Sequence, residues 1–465
     1  MVKRLFFILF FIAVFSYCVA DSRQAPLKPE GIGNLEPIKK SDRILILAPH
    51  PDDEAIGCAG IIQQALKVGA QVHVVYLTNG DHNQVSFIVY EKRLTLRKGE
   101  FIHMGEVRRT EAIKAMKLLG LNEDDLIFLG YPDFGTFTIF SQYWNTKRPF
   151  RSLLTRISCV PYKENLSFGL PYLGENILND LKKVLLTYKP NKIFVSHPAD
   201  VNVDHKALYL FLKIVLGDLN RKIPRPKIYP YLIHCVGWPL PRHYHPELSL
   251  EPPGKFLDTQ ISWLGFALTP EQLDKKYQAI LCYKSQTQSS AFYLLSFARK
   301  NELFSDYPDI KLTRQVSLKE QAVSFFGFSN MFVDSDIGGL GNPIEDTGQL
   351  SYAIVDDSIL IRIEKTKELS RRFSLLLYLF GYSYKTPFSL MPKIRIITRY
   401  NKFRVFDARL KINSSGVSLE LNSKVLILRI PLKVLGDPDF ILTSMKVYGG
   451  ILPVDSVVFR KIVIK

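Results

Sequence analysis

Residues 44–57, ILILAPHPDDEAIG, place an aliphatic run directly before a cluster of ionisable side chains. The run 44–47 has the composition of a buried strand, and a helical pattern begins at about residue 54. Between them lie one imidazole and three carboxylates: His50, Asp52, Asp53 and Glu54. Burying several ionisable groups together is costly unless they pair or bind a metal. Because open α/β sheets bind ligands at the carboxyl ends of their strands, this segment predicts both a fold and a site.

Strand and helix patterns alternate through residues 41–310. The predicted strands are 44–47, 72–77, 126–129 and 193–196, and the predicted helices are 54–68, 107–119 and 177–188. Alternation of this kind is typical of a Rossmann-like α/β fold, in which a mostly parallel sheet carries helices on both faces. Residues 135–175 follow neither pattern and are rich in aromatic side chains, so we expect them to form a flap over the site.

The pattern changes after about residue 310. Short apolar bursts, separated by Gly, Asn, Asp and Pro, occupy 359–364, 394–397, 417–421, 425–432 and 457–464. Short strands at this spacing are typical of an antiparallel sandwich. We therefore predict an α/β domain at 41–310 and a C-terminal antiparallel β-sandwich domain at 335–465, which serves as an accessory domain.

Residues 1–20 have the layout of a secretory signal peptide. Lys3 and Arg4 precede an apolar run from Leu5 to Phe15, and small residues end the segment at Ala20. The run is short for a membrane-spanning helix, and a retained N-terminal anchor is the alternative interpretation. We expect a protein that is secreted or that resides in the periplasm or cell envelope.

The chain is basic, with a formal charge of +17 that falls to +15 if Lys3 and Arg4 leave with the signal peptide. The basic residues are dispersed rather than grouped in a block, so we expect no nucleic-acid partner. Dispersed positive charge fits a solvated surface or a peripheral association with an anionic envelope. The cysteines after the predicted signal peptide are Cys58, Cys159, Cys235 and Cys282. They form no CxxC pair, which argues against a structural zinc site.

A second cluster of imidazole and carboxylate groups follows the last predicted strand of the α/β domain. Residues 197–205 have the sequence HPADVNVDH and begin where the strand 193–196 ends. If this strand lies beside 44–47, both clusters share one edge of the sheet. Asp204 or Asp200 would then orient a metal ligand from behind.

The two clusters together have the composition of a divalent metal site. Such a site needs a few nitrogen and oxygen ligands on rigid elements, with one position open for water. His50 and Asp53 can reach one ion from a single turn, and His205 is the best candidate for the third ligand. Asp52 points differently from Asp53 and is placed to take a proton from the water. The alternative for His205 is a cap at the start of the following helix.

Both clusters resemble signature segments of the PIG-L/LmbE-like family of zinc-dependent N-deacetylases. The first resembles the family's A-H-P-D-D-E segment, with Pro49 in place of the alanine, and 200–205 resembles its carboxylate followed by Asp-His. The resemblance covers about residues 41–310. Weaker likenesses lie at Arg109 and Glu111, Leu119-Gly120, Asp133 after Gly130, Tyr283-Lys284-Ser285-Gln286, Arg299, and 301–304.

The resemblance implies a role for each residue of the two clusters. His50, Asp53 and His205 would bind Zn²⁺ or another divalent metal, and Asp52 would be the general base. Many family members have a histidine where this chain has Asn202, and the asparagine can still donate a hydrogen bond to an oxyanion.

Three further residues are expected on the substrate side of the site: Asp133, Arg109 and His197. Each has a structural alternative. Asp133 would end a strand in a turn, Arg109 would lie on a solvated helix face, and His197 would be a turn residue.

We expect a metal-dependent amidohydrolase acting on linear amide bonds. Its substrate would be an N-acetylhexosamine in a carbohydrate glycan, a glycolipid or a small glycoconjugate, from which it removes the N-acetyl group. The alternative is a non-catalytic glycan-binding protein with a remnant metal site. Asn202 and Tyr283 favour that alternative, because both stand where many relatives carry histidine.

Overall fold

The computed structural model describes residues 32–83, 88–90, 92, 97–256, 261–315, 326–328, 349–365, 368–369, 372–413, 416–449 and 452–465. The predicted signal peptide, residues 1–20, lies outside the described residues. Among the residues that are described, no helix combines the length and the apolar character needed to cross a bilayer.

The N-terminal unit contains seven α-helices and an eight-stranded sheet within the described residues. The helices are α1 Asp53–Val68, α2 Lys98–Leu119, α3 Thr136–Gln142, α4 Gly174–Tyr188, α5 Val203–Asp218, α6 Pro270–Leu281 and α7 Lys284–Leu294. The strands are β1 Ile32–Asn34, β2 Arg43–Ala48, β3 Gln71–Thr78, β4 Leu126–Tyr131, β5 Lys192–Ser196, β6 Lys227–Tyr231, β7 Ser262–Ala267 and β8 Asn301–Asp306. Every predicted strand and helix of this unit is present, and α2 begins nearer the N-terminus than the predicted residue 107.

The sheet has the strand order β1-β7-β8-β6-β5-β2-β3-β4. Strands β6, β5, β2, β3 and β4 run parallel, and β8 is antiparallel to both of its neighbours. The predicted parallel-rich α/β architecture is therefore confirmed. Because parallel crossover connections are right-handed, this strand order implies that α1 and α2 lie on one face and α4 and α5 on the other. Because β2 lies between β3 and β5, the connections diverge there, and this switch point is where open sheets bind ligands.

Residues 135–175 do not form the expected flap. They include helix α3 and a series of loops, and several of their aromatic side chains lie in the main hydrophobic core: Phe140, Trp144, Tyr162 and Tyr172. Large aromatic side chains remove more apolar surface from water in a core than over an open site, which explains the difference.

The C-terminal region is rich in strands and forms two sheets. One contains β10 Arg314–Gln315, β11 Phe326–Phe328, β12 Gln349–Val355, β13 Ser358–Glu364, β18 Ser418–Leu421 and β19 Val425–Pro431. The other contains β9 Ile310–Leu312, β14 Phe373–Tyr382, β15 Lys393–Arg399, β16 Lys402–Asp407, β17 Leu410–Ile412, β20 Phe440–Gly449 and β21 Leu452–Ile464. Most neighbouring strands are antiparallel, and both sheets contribute side chains to one hydrophobic cluster.

The chain enters this region at Ile310, before the predicted domain start at residue 335. Strand β9 already pairs in parallel with β21. Ile310 and Leu312 are buried in the C-terminal cluster, so these two apolar side chains have their partners there rather than in the α/β unit.

Helices α3 and α5 of the N-terminal unit pack against the C-terminal region. The Phe140 ring on α3 lies 5.2 Å from Phe380 and 5.6 Å from Phe388, measured between ring centroids. At the end of α5, Asp218 accepts a hydrogen bond of 2.8 Å from the Tyr382 hydroxyl. The two regions therefore share one core behind these helices, and both helices also carry residues of the site.

Candidate active site and metal centre

Five neighbouring parallel strands bring polar side chains to one edge of the sheet. His50 to Glu54 follow β2, and Asp200 to His205 follow β5. Asp81 follows β3, Asp133 follows β4 and His234 follows β6. The edge lies at the switch point of the sheet, so residues far apart in sequence form a single cluster.

The structure brings the three predicted metal ligands together. Asp53 Oδ2 lies 3.3 Å from His50 Nδ1 and 3.2 Å from His205 Nε2. One donor atom from each residue lies within 4.8 Å of the other two. All three side chains are buried. They form a compact set of two nitrogens and one oxygen, which is a ligand set suited to a divalent metal.

A strained turn presents Asp53 to the two imidazoles. Asp52, at the turn, has φ of 124° and ψ of −30°, a backbone conformation that a residue with a side chain rarely adopts. Asp53 is the first residue of α1, and its amide donates to His50 O at 3.3 Å. Strain of this kind concentrates at functional sites, where the surrounding structure maintains it.

Outer carboxylates hold both imidazoles. His50 Nε2 lies 3.1 Å from Asp133 Oδ1 and 3.4 Å from Asp204 Oδ2, and His205 Nδ1 lies 3.0 Å from Asp200 Oδ2. Each ring therefore has one nitrogen facing a supporting carboxylate and the other facing Asp53. A metal-binding histidine has this arrangement, because the supporting carboxylate fixes the ring orientation and the tautomer.

The cluster contains more buried acids than cations. Its buried carboxylic acids are Asp52, Asp53, Glu54, Asp81, Asp133, Asp200 and Asp204. Arg108 is the one permanently charged cation that contacts any of them by an ion pair within the described residues. Buried carboxylates require compensation by opposite charge or a metal, so the residues present fit a divalent ion.

The acids around His50 and His205 raise the pKa values of both imidazoles. Burial alone would lower the pKa of His50, but the Asp133 charge and hydrogen bonds raise it well above its usual value. Burial likewise opposes protonation of His205, yet Asp200 and Asp53 raise its pKa to about 9. A metal competes with protons for the same nitrogens, so the acids that raise these pKa values also favour metal binding.

Asp52 is buried beside Arg108. Burial raises the pKa of Asp52 to about 7, although the Arg108 charge acts in the opposite direction. Arg108 Nη2 lies 3.1 Å from Asp52 Oδ2 and donates to Pro51 O at 2.6 Å, while Nη1 donates to Gly80 O at 3.0 Å. A carboxylate with a pKa near neutrality suits a general base.

Arg109 was the arginine predicted on the substrate side, but its neighbour Arg108 is the one that contacts the cluster. Arg109 pairs with Glu123 at 3.0 Å, and its guanidinium lies 4.9 Å from the Phe128 ring centroid. It therefore lies on the helix face away from Asp52, whereas Arg108 enters the cluster. Helical spacing carried the signal, because Arg108 shares the buried face of α2 with Ala112 and Ala115.

Glu54 supports the turn from behind. It lies in the first turn of α1, as predicted, and its Oε2 accepts a hydrogen bond of 3.1 Å from the Asp52 amide. The Tyr283 hydroxyl donates to Glu54 Oε1. Burial raises the pKa of Glu54 to about 8, against the effect of that hydrogen bond.

Asp133 and Asp204 both face His50. Burial would raise the pKa of Asp133, but the His50 charge holds it well below its usual value. Asp133 Oδ2 also accepts from the His82 amide at 3.0 Å. Asp204 accepts from the Thr136 amide at 3.1 Å and from its hydroxyl, which connects the site to α3. The substrate role of Asp133 stays a prediction, while its contact with a proposed metal ligand is a finding.

Asn202 is the N-cap of α5. Its side-chain oxygen accepts from the Asp204 backbone amide at 2.9 Å, and its backbone amide donates to Asp200 Oδ1 at 2.9 Å. The proposed oxyanion donor thus uses its side-chain oxygen to hold the Asp204 amide and its backbone amide to hold the Asp200 carboxylate.

His197 packs among aromatic side chains instead of facing the ligands. Its ring is stacked 5.8 Å from Trp263 and lies 5.0 Å from Tyr307. Its Nδ1 accepts from the Ala199 amide at 2.9 Å. Burial, together with the Arg460 charge, lowers the pKa of His197 to about 3. These contacts correspond to the structural alternative for this residue rather than to substrate binding.

Sequence reasoning missed His234. Its ring centroid lies 4.7 Å from that of His205 at 69°, and its side chain is partly exposed. Burial lowers the pKa of His234 to about 4. The strand that precedes it, β6, includes Pro230, a residue that argues against a strand inside a sheet. The apolar and aromatic residues on either side of Pro230 were the signal that could have identified this strand.

Residues 45–215 match the model of the PIG-L family, which is described as GlcNAc-PI de-N-acetylase. The 1D-myo-inositol 2-acetamido-2-deoxy-alpha-D-glucopyranoside deacetylase of Kineococcus radiotolerans is 26% identical over 213 residues. That alignment covers 44% of this chain and 54% of the relative, so the chain spans about half the length of the curated relative it matches.

Two solved structures are similar over part of the chain. The N,N'-diacetylchitobiose deacetylase of Pyrococcus horikoshii is 18% identical, covers 54% of this chain and 72% of its own, and has a TM-score of 0.34. The 4-carboxy-2-hydroxymuconate hydratase of Pseudomonas putida KT2440 is also 18% identical, covers 57% of this chain and 97% of its own, and has a TM-score of 0.35.

Proposed function

Because residues 45–215 form a domain of the PIG-L/LmbE-like family of deacetylases, we propose that this protein is a metal-dependent hydrolase that removes the acetyl group from an N-acetylhexosamine. One observation carries the proposal most directly. Asp53 lies between two imidazoles, and an outer carboxylate holds each of them. This is the arrangement of a metal site with a supporting shell, next to a carboxylate suited to proton transfer.

We propose Zn²⁺ as the metal, held by His50, Asp53 and His205. When bound, zinc would polarise the amide carbonyl and lower the pKa of a water to about 7. The ligand set of two histidines and one carboxylate is one that catalytic zinc sites use.

Asp52 would move the proton in the reaction. It accepts a proton from water as the water oxygen bonds to the acetamide carbon. The carbon–nitrogen bond then breaks, and Asp52 returns a proton to the departing amine nitrogen. One water and one amide thus give acetate and a protonated amine. Arg108 keeps Asp52 oriented through the contact of 3.1 Å.

The substrate is proposed to belong to an extracellular glycan or a glycolipid. The signal-peptide pattern of residues 1–20 supports export to the periplasm, the envelope or the medium. The dispersed positive charge supports a peripheral association with an anionic envelope. The shared core of the two C-terminal sheets supports a sandwich-type accessory domain packed on the catalytic unit.

Acetate release from the purified full-length protein tests the function. The probes are N-acetylglucosamine oligosaccharides and a glycolipid with a terminal N-acetylglucosamine, each with zinc added and with zinc removed by a chelator. We expect Asp52→Asn to lower the rate about 10²- to 10⁴-fold, the usual contribution of a general base. Asp180→Asn is the control, because Asp180 is buried but bonds Tyr131 and Ser167 instead of the cluster. Equal rates for wild type and Asp52→Asn would overturn the proposal.

Glycan binding without turnover is the second candidate. Asn202 and Tyr283 favour it, since one uses its side-chain oxygen as a helix cap and the other donates to Glu54. Neither supplies an imidazole at the ligands. This candidate predicts zinc and sugar binding with no acetate release.

A further inference from the structure

We propose that His234 supplies the hydrogen bond that stabilises the developing oxyanion. Its imidazole N–H would donate to the carbonyl oxygen of the acetamide, the task for which Asn202 was the candidate from sequence. The inference rests on the proposed function, since it assigns a further catalytic residue to the same site.

His234 lies at the same sheet edge as the metal ligands. It follows β6, which pairs in parallel with β5, the strand that leads to His205. The His234 ring lies edge-on to that of His205, with 4.7 Å between the centroids. One ring nitrogen of His234 lies within 4.8 Å of donor atoms of Asp200 and His205. His234 therefore lies beside Asp200 and His205, and the proposed role requires the carbonyl oxygen to lie between this imidazole and the metal centre.

The backbone of His234 is anchored to the same carboxylate that supports His205. Asp200 Oδ2 accepts from the His234 amide at 2.9 Å and lies 3.0 Å from His205 Nδ1. The His234 carbonyl accepts from the Val201 amide at 3.0 Å. An oxyanion donor is effective when it is held in place before the reaction, and one carboxylate here positions a metal ligand and the proposed donor together.

The ring itself is supported by Tyr293. The two rings are stacked with centroids 6.1 Å apart, and the Tyr293 hydroxyl donates to Ile233 O at 2.6 Å. Arg242 covers Tyr293, with its guanidinium carbon 4.6 Å from the ring centroid. His234 is nonetheless partly exposed, whereas Asp200 and His205 are fully buried. The imidazole thus borders the side of the cluster from which a substrate can arrive.

Three other cationic or imidazole side chains of the cluster contact protein groups: Arg108, His50 and His205. The Arg108 guanidinium contacts Asp52, Pro51 and Gly80. His50 and His205 face carboxylates through both of their nitrogens. A neutral imidazole carries one N–H donor, so the role requires no change in the protonation of His234.

Steady-state kinetics of zinc-loaded full-length protein on an N-acetylglucosamine disaccharide tests this role. We expect His234→Ala to lower kcat about 10²- to 10³-fold, with KM and zinc stoichiometry close to those of wild type. Introducing Asn202→His into the His234→Ala protein should restore kcat at least about tenfold, because it returns an imidazole to the site at the position where many members of the resembled family carry histidine. The matched control is His245→Ala, since His245 pairs with Glu247 on the surface.

Each other outcome counts against the proposal. If His234→Ala retains wild-type kcat while Asp52→Asn is inactive, the deacetylase function stands and the role of His234 is overturned. If His234→Ala loses zinc, His234 is a metal ligand, a role that its distance to Asp200 and His205 also permits. If wild type releases no acetate from the disaccharide or from longer oligosaccharides, the proposed function and this inference fail together.

Discussion

Arg108 and Asp52 form a buried ion pair, in which Arg108 Nη2 lies 3.1 Å from Asp52 Oδ2. The same nitrogen donates to Pro51 O at 2.6 Å, so one guanidinium holds the proposed base and the turn that presents it. Burial raises the pKa of Asp52 to about 7, and the charge of Arg108 limits that rise. The arginine therefore lowers the pH at which the proposed base becomes available.

Replacement of Arg108 by methionine should move the acid limb of the pH–rate profile. Without the guanidinium the pKa of Asp52 rises further, and the carboxylate form is populated only at higher pH. We expect kcat/KM for Arg108→Met to fall most at low pH and to recover partly as the pH is raised. Profiles of kcat/KM between pH 5 and pH 9, about the range in which such a base titrates, measure the shift.

Arg109→Met is the matched control for this experiment. It removes the neighbouring arginine, whose partner is Glu123 on the surface. We expect its profile to coincide with that of wild type. If Arg109→Met shifts the acid limb and Arg108→Met does not, the assignment of the pair to the base is wrong.

Asp200→Asn should weaken metal binding without removing a ligand. Asp200 lies behind His205 and fixes its orientation, and loss of such a supporting carboxylate typically lowers metal affinity about 10- to 100-fold. Competition with a zinc-binding dye measures the affinity. The control is Asp180→Asn, in which another buried aspartate loses its charge outside the cluster. Unchanged zinc affinity in Asp200→Asn would show that His205 does not depend on this support.

The proposed ligands could be predicted because they lie in short segments with strong local patterns. A buried strand followed by His50 and Asp53 needs only a turn to bring both to one point, and His205 follows a second such strand. Arg108 was missed by one position, since successive helix residues point about 100° apart and only one of two adjacent arginines can face the site. His234 was hidden because Pro230 weakened the strand pattern before it.

The contact between the two regions had no local signature in the sequence. It depends on aromatic side chains of α3 meeting those of β14, and these segments lie far apart along the chain. Their apolar character predicts burial but names no partner, because the hydrophobic effect has no direction. For the same reason the aromatic residues of 135–175 suggested a flap when they belong to a core.

Lys192→Met should lower stability and change its dependence on pH. Buried Lys192 contacts Asp42 at 2.6 Å and Glu36 at 3.2 Å. Burial would raise the pKa of Asp42, but Lys192 and other hydrogen bonds lower it overall. Burial would also raise the pKa of Glu36, but hydrogen bonds from Lys227, Tyr229 and Lys192 lower it to about 2. Acids with lowered pKa values stabilise the protein above their unfolded values, and this stability is lost as the pH falls through the folded ones.

The expected loss at neutral pH is about 3–5 kcal/mol, because removal of Lys192 leaves Asp42 buried without its partner. Below about pH 4.5 the wild type should lose stability more steeply than the variant, which has less acid-sensitive stability to lose. Urea unfolding at about pH 7, 5 and 3, which extends from neutral pH to below the unfolded pKa values, measures both effects. Lys275→Met is the control, since Lys275 pairs with Glu271 on an exposed helix face and should contribute at most about 1 kcal/mol. Equal losses in the two variants would contradict the prediction.

Phe140→Ala should lower both the stability of the whole protein and its affinity for zinc. Phe140 lies between Phe211 on α5 and Phe380 on β14, with ring centroids 4.9 Å and 5.2 Å away. Helix α3 also carries Thr136, which bonds Asp204 behind His50. We expect the cavity to lower the free energy of unfolding by about 3–5 kcal/mol. We also expect a weaker metal site, because α3, whose Thr136 bonds Asp204, loses its packing against β14.

Phe373→Ala separates these two effects. Phe373 is buried in the C-terminal cluster, so its removal should destabilise that region with little change in zinc affinity. Thermal unfolding and zinc competition on the two full-length variants measure both quantities. If Phe140→Ala and Phe373→Ala lower zinc affinity equally, or if neither does, the C-terminal sheet does not support the metal site through α3. A selective loss in Phe140→Ala would make the accessory sheet part of the structure that positions Asp204.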